Sequence, residues 1–472
     1  MNIFTLPCGP SNDSQKSAQK LERLSLILTT LVFLLSGMPK LRIVIGAPIY
    51  AVDLIIFYLL IKTPKTQSLN YGGTARLITQ LASGYIVLMV LGELYGGWVY
   101  GRYFDSIYML FRCYLAASII RIVPRQVKNL EVLKLLLKGL CIGLFISAVI
   151  SILYSFPSTR WLTDYIFSVK MLAPDGEQVL AGNNVYDAAY GGGYRGRNLI
   201  GTSTFTSGVM ALLWPLVFMS KKLFRSDVFW NRLSIVTLCV APLAILATYG
   251  RTAWLSVIFV LLSILILGSD RGKLHILLGI LVASLLFGQV GLDSITAKLP
   301  LVNRIVTKTQ IVAASGAENE SEAERFHAYV EPFEHVLRHP SFFFVGTGVA
   351  QRKFDGNALE EATTASHAIP AMAYYAYGVG GAFCQIGFML CSFKLIYCRL
   401  RQARKKLPCL AWMWQSLLAA WCGLFPWWCF AHGLVSQPRG AMVFFLYLGI
   451  LLSCEHIYRQ MDWLYSRHLS NS

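Results

Sequence analysis

Three residues in this chain have the types and positions that chemistry uses: Arg197, Arg251 and His367. An arginine carries a permanent charge on a planar fork of donors. Two of them arriving from separate loops make a two-pronged clamp suited to a diphosphate. Lysine would neutralise such a group without gripping it at two points. An imidazole is the side chain best able to accept a proton near neutral pH, so His367 reads as a general base. Each residue also has a plainer reading. Arg251, in Thr248-Tyr249-Gly250-Arg251-Thr252-Ala253-Trp254, fits an interfacial arginine reaching to lipid head groups with Trp254 beside it. Arg197 and its neighbour Arg195 could bind lipid phosphates, and His367, in Ser366-His367-Ala368, could hydrogen-bond locally at a helix start.

The elements that must hold these residues are membrane spans. Hydrophobic residues make up 55% of the 472 and charged ones only 14%, against about 45–50% and about 25% in soluble proteins. Apolar runs of bilayer length, roughly 17–25 residues, recur throughout. They place helices at 24–38, 43–61, 77–95, 105–121, 135–155, 201–219, 233–249, 252–268, 274–290, 368–397, 410–430 and 439–457. The 105–121 run is the weakest, because Asp105 and Arg112 fall inside it. The expected fold is an all-α polytopic membrane protein of about twelve transmembrane helices, forming one integral membrane domain over 1–472. Five spans (24–155) precede a first outer loop (156–198), four (201–290) precede a second (291–367), and three (368–457) complete the chain.

Orientation follows from the basic residues, which concentrate on the cytoplasmic side of membrane proteins. With the N-terminus inside, every second connection is basic: Lys62, Lys65 and Arg76; Arg121, Arg125, Lys128 and Lys134; Lys221, Lys222, Arg225 and Arg232; Arg399 to Lys406. Both termini then lie in the cytoplasm, and Arg197, Arg251 and His367 share the opposite face. The formal charge of +18 is thereby a topology signal. Basic residues dispersed among spans do not make a nucleic-acid footprint. A polar lead, Ser11 to Lys20, precedes the first span, and no small-residue cleavage site follows before Lys40, so a cleaved signal peptide is not expected.

The first loop ends in Ala-Tyr-Gly-Gly-Gly-Tyr-Arg-Gly-Arg-Asn (189–198), which lacks the spacing of a nucleotide cradle. The second carries a helix signature, with a capping box at Ser321-Glu322-Ala323-Glu324 and an apolar face from Phe326 to Leu337. Pro332 should kink this helix and His339-Pro340 should end it, with Gly346-Thr347-Gly348 as a turn. His335 and His339 are spaced for zinc but have no third ligand, and no H-E-x-x-H occurs, so no metal is expected. None of the eleven cysteines falls in 155–200 or 291–367, and the stripe Cys384, Cys391, Cys398 reads as small apolar packing. Gly92 and Gly96 form a small-xxx-small pair fit for internal helix packing.

Several of these segments, in order, resemble the O-antigen ligase and polymerase superfamily of bacterial envelope glycosyltransferases. The resemblance rests on Arg-Asn-Leu-Ile-Gly-Thr (197–202), on Gly250-Arg251-Thr252-Ala253-Trp254, and on Arg325 through His339-Pro340 to Gly346-Thr347-Gly348. Ser366-His367 followed by Tyr377-Gly378-Val379-Gly380-Gly381 completes it. Where family members often carry Asn after the histidine and Glu before the next glycine, this chain has Ala368 and Tyr377. The resemblance implies a cofactor-free, metal-free, inverting enzyme in the bacterial inner membrane, acting on the periplasmic face. The donor would be a glycan on undecaprenyl diphosphate, and the acceptor a sugar hydroxyl, of lipid A–core for a ligase. Polymerisation of repeat units is the near alternative; protein glycosylation and lipid-linked sugar transport are more distant ones. Arg197, Arg251 and His367 take the catalytic roles, with Arg195, Arg325, His432 and Arg439 as further substrate contacts. A monomer is expected.

Overall fold

The computed structural model describes residues 28, 42–45, 47–63, 69, 71–155, 159, 169–172, 178–181, 203–248, 251–267, 340–348, 369–430 and 438–470. Within them the chain is overwhelmingly helical. Two short antiparallel hairpins interrupt the helices: β1 (Arg42–Ile45) with β2 (Ala47–Tyr50), and β3 (Val169–Leu172) with β4 (Gln178–Ala181). The helices are α1 (Ala51–Lys62), α2 (Gly73–Val99), α3 (Tyr103–Gln126), α4 (Leu130–Ser155), α5 (Ser203–Leu213), α6 (Val217–Leu223) and α7 (Val228–Ala247). They continue with α8 (Arg251–Leu267), the single turn α9 (Phe342–Val345), α10 (Ile369–Lys406), α11 (Ala411–Phe430) and α12 (Pro438–Ser470). Six of them, α2, α3, α4, α7, α10 and α12, are long and apolar enough to cross a bilayer. The chain is a multi-pass helical membrane protein. The expected spans at 24–38 and 274–290 lie outside the described residues, Leu28 apart.

One expected span is corrected. The 43–61 run is not a single helix: its first part is the β1–β2 hairpin, and α1 begins only at Ala51. The residues give the reason. Ile43, Val44 and Ile45 are β-branched and favour extended backbone. Pro48 has no N–H to donate and disfavours helix at the residue before it. The 201–219 run is also divided, at Trp214-Pro215, into α5 and α6 with a 3-10 turn between them. The other described runs start within about five residues of the expected positions, but the helices from 369 and 438 run on past the expected ends at 397 and 457, to Lys406 and Ser470.

The weak 105–121 run proves to be part of α3, and Arg112 explains itself. Its Nε lies 3.2 Å from Asp53 Oδ2 on α1, and both side chains are almost fully buried. The same Asp53 oxygen accepts the Tyr50 N–H at 3.1 Å, which caps α1. The Tyr50 ring covers the guanidinium at 4.7 Å. A charge in a span is expensive unless it is paired, and here the partner comes from the neighbouring helix.

Helix α12 forms the centre. It packs most extensively on α3, and its apolar window is 100% buried against 28% for α7, so α12 is enclosed by the bundle while α7 is largely uncovered by it. Around it α10 packs on α2 and α11, α8 on α11, and α4 on α7. Aromatic edges tie this core together: Tyr85 meets Tyr377, Phe388 and Phe445. Gly92 and Gly96 do pack internally, against Ala376 and Thr347. Cys384 is buried, whereas Cys398 at the end of the same stripe is exposed.

One end of the bundle is held by a buried carboxylate. Glu455 accepts from Arg399 Nε at 2.6 Å and Nη2 at 2.5 Å, and from Arg459 Nε at 2.5 Å. Arg459 in turn packs over Gly72, just before α2, where an added Cβ would push its guanidinium aside. Glu455→Gln leaves two guanidiniums facing each other without their anion. Thermal unfolding of the purified protein in detergent should show a loss near the lower end of ~3–5 kcal/mol, the cost of breaking a buried pair, because Arg459 keeps partial contact with solvent.

Candidate functional site

The starting point is where the helices that follow the candidate residues begin. Packing partners fix their directions. Phe259 meets Phe425, and Val260 abuts Gly423, so α8 and α11 are antiparallel. Gly208 lies on Trp427 while Gly423 lies on Ala211, so α5 also runs opposite to α11. Trp414 meets Tyr458, and Tyr447 donates to the Leu417 carbonyl, so α12 is antiparallel to α11 as well. Phe388 contacts Phe444 and Arg399 binds Glu455, so α10 runs parallel to α12. The first residues of α5, α8, α10 and α12 therefore stand at one end of the bundle, opposite Glu455.

Those starts are the ones nearest the candidates in sequence. Arg251 is the first residue of α8 and Arg439 the second of α12. Arg197 comes six residues before Ser203, where α5 starts, and His367 two residues before Ile369, where α10 starts. Arg195, Arg197, Arg325, His367 and His432 lie outside the described residues, as do the side chains of Arg251 and Arg439. So does the expected helix at 321–338. The structure thus brings the four helix starts together at one end.

Helix starts matter because their first amide N–H groups have no carbonyl partner within the helix and carry the positive end of its dipole. A phosphate group placed there meets donors and a favourable field. Pro438 and Pro370 sit in the first turns of α12 and α10, where the missing N–H costs nothing. The C-termini of α2 and α11 reach the same end, so the favourable field is local to the starts and does not extend over the whole end.

Beside these starts, α10 is broken. Tyr377 (φ −135°, ψ 18°) and Gly378 (φ 66°, ψ −168°) leave helical geometry. The expected turn at Gly346-Thr347-Gly348 is present, with φ of 74° and 76° at its two glycines, and it docks on the break. The Thr347 N–H donates to the Tyr375 carbonyl at 3.0 Å and the Gly348 N–H to the Ala376 carbonyl at 2.9 Å. Phe342 anchors the turn from the other side, stacked on Tyr100 and edge-on to Tyr95.

No protein-family model matches this chain, and no curated protein sequence matches it either. The site therefore stands on its residues and their placement.

Sequence reasoning passed over Glu93. It is fully buried and lies six residues from the end of α2, beneath the docked turn: a Cβ on Gly348 would sit 3.0 Å from Glu93 Oε2. Its neighbour Gly92 packs on the Tyr377 ring. A carboxylate thus stands close to Tyr377, on a different helix. The signal was legible, as a lone acid flanked by Gly92 and Gly96 inside the 77–95 run. Among the described residues, Asp53, Glu93, Arg112 and Glu455 are the charged side chains with almost no exposure.

Proposed function

We propose that this chain is an O-antigen ligase-like glycosyltransferase of the bacterial inner membrane. It moves a glycan from undecaprenyl diphosphate to an acceptor sugar hydroxyl, that of lipid A–core, on the periplasmic face. The observation that carries the reading is the grouping of four helix starts at one end, each within six residues of Arg197, Arg251, His367 or Arg439 in sequence. In this reading Arg197 and Arg251 hold the diphosphate and stabilise the charge that grows on it. His367 takes the proton of the acceptor hydroxyl. The hydroxyl oxygen bonds to the anomeric carbon with inversion as the bond from that carbon to phosphate oxygen breaks, and undecaprenyl diphosphate leaves. Arg195, Arg325, His432 and Arg439 bind the sugars and phosphates around this centre.

A gel comparison of surface and carrier-linked glycans tests the reading, using a deletion strain complemented with the wild-type gene. Full-length polymer held on undecaprenyl diphosphate, with none on lipid A–core, is the expected result without complementation. Accumulation of single repeat units would instead make the chain a polymerase. Unchanged glycans would reject both.

A second reading, transport of a lipid-linked sugar, draws on the buried Asp53–Arg112 pair and the break in α10, because carriers place charges and broken helices within the membrane. Both features are also accounted for by pairing inside the fold. Purified protein that transfers glycan in detergent, where vectorial movement has no meaning, decides for the enzyme.

A further inference from the structure

A helix broken inside a membrane frees backbone carbonyls that lipid cannot satisfy. At Tyr377 and Gly378 the freed carbonyls belong to Tyr375 and Ala376, and the Gly346–Gly348 turn supplies their donors. Thr347 Oγ1 adds a further donor, its one proton within reach of the Tyr375 carbonyl at 3.2 Å and of the Gly348 carbonyl at 3.3 Å. Thr347 itself is fully buried.

The fit is set by glycines on every side. A Cβ on Gly378 would lie 2.5 Å from the Phe344 carbonyl, and one on Gly92 2.7 Å from the Ala376 oxygen and 2.9 Å from the Val345 oxygen. On Gly346 it would collide with Ala376 and the Tyr377 nitrogen, and on Gly96 with the Thr347 carbonyl. Backbone atoms obstruct in each case, so no side-chain movement alone makes room. Gly346, Gly348 and Gly378 also have φ values that L side chains rarely adopt. Two helices and a turn thus meet as backbone on backbone.

The turn grips the short stretch of α10 before the break, Ile369–Ala376, at its last two carbonyls. That stretch starts two residues after His367. We infer that the docked turn is a positioning element: Gly96 and Gly346, by admitting it, set the place of the Ile369–Ala376 half-helix and so of the base that precedes it. This rests on the reading of His367 as the group that takes the acceptor proton. Thr347 is the residue that fastens the contact. None of the three touches the reacting atoms.

The test compares Gly96→Ala, Gly346→Ala and Thr347→Val with a Gly84→Ala control, whose added Cβ meets open space, all in purified full-length protein. Amide hydrogen exchange reads the docking of Thr347 and Gly348; glycan transfer from undecaprenyl-diphosphate donor reads kcat and KM. Both glycine variants should expose the two amides and lower kcat on the order of 10²-fold, the scale of a 1 Å misplacement, with donor KM unchanged. Should the glycine variants not fold, Thr347→Val carries the test: it removes only the Oγ1 bond and should show the same pattern to a smaller degree, with Thr347→Ser restoring it. Amides as protected as in wild type would overturn the docking itself. Exposed amides with unchanged kcat would overturn the positioning role and leave the transferase reading standing. A wild type that transfers nothing while Gly96→Ala still exposes the amides would sink the transferase reading, and the positioning role with it.

Discussion

Purified His367→Ala is expected to lose glycan transfer by about 10²–10⁴-fold, the range over which a positioned general base acts, while inserting and folding as wild type does. In sequence His367 precedes α10 by two residues, so the substitution leaves every described core residue unchanged. Retention of near wild-type transfer would remove the base from the mechanism. Arg251 is expected to behave differently. Arg251→Ala should cost about 10²–10³-fold, as the loss of one charge-stabilising donor does elsewhere, and Arg251→Lys should recover part of it. A lysine restores the charge but not the planar fork. Equal defects in Arg251→Ala and Arg251→Lys would point to two-pronged binding as the whole of its contribution. Full recovery by lysine would reduce Arg251 to a point charge.

The second large effect concerns stability. Arg112 is the tenth residue of α3, roughly 14 Å along the helix at 1.5 Å per residue, deep enough that solvent cannot replace its partner. Arg112→Leu strands the Asp53 carboxylate, whose Oδ1 already lacks a hydrogen bond. A loss of about 3–5 kcal/mol is expected, since removing one member of a buried pair leaves an uncompensated charge. The double variant Asp53→Asn/Arg112→Leu should regain most of that loss, because the asparagine can still accept the Tyr50 N–H and carries no charge. Denaturation midpoints of the four proteins in the cycle measure this directly. A double variant as unstable as Arg112→Leu would mean that guanidinium packing against Tyr50, and not the charge pair, holds α1 in place.

Much of this architecture was readable from residue order. Long apolar runs in 77–95, 105–121 and 135–155 became α2, α3 and α4 with modest extensions, because a bilayer-length run has few alternatives to helix. The pair Gly92 and Gly96 was read as packing and does pack. The 43–61 run misled because hydropathy alone does not separate a helix from a hairpin; Pro48 and three consecutive β-branched residues held the information. Arg112 appeared as a blemish in the 105–121 run, Asp53 in the 43–61 run was passed over, and only the fold made them a pair. The break in α10 was written in Gly378, Gly380 and Gly381, three glycines within four residues, yet no local pattern says what will dock there. As for the candidate site, sequence assigned its residues and their common side. The fold adds only the common end at which the following helices begin.

The central helix of the bundle, α12, is also the last of the described helices to be synthesised. Until it arrives, α3 must wait in the membrane with its most extensively packed face covered by lipid or by the helices already made. Assembly therefore cannot proceed by simple accretion from the N-terminus. The earlier helices form a partial bundle that is open on the side where α12 will insert, and such half-built intermediates are the ones most exposed to misassembly and proteolysis. Interrupting translation before residue 438 should yield not a shortened bundle but a hollow one.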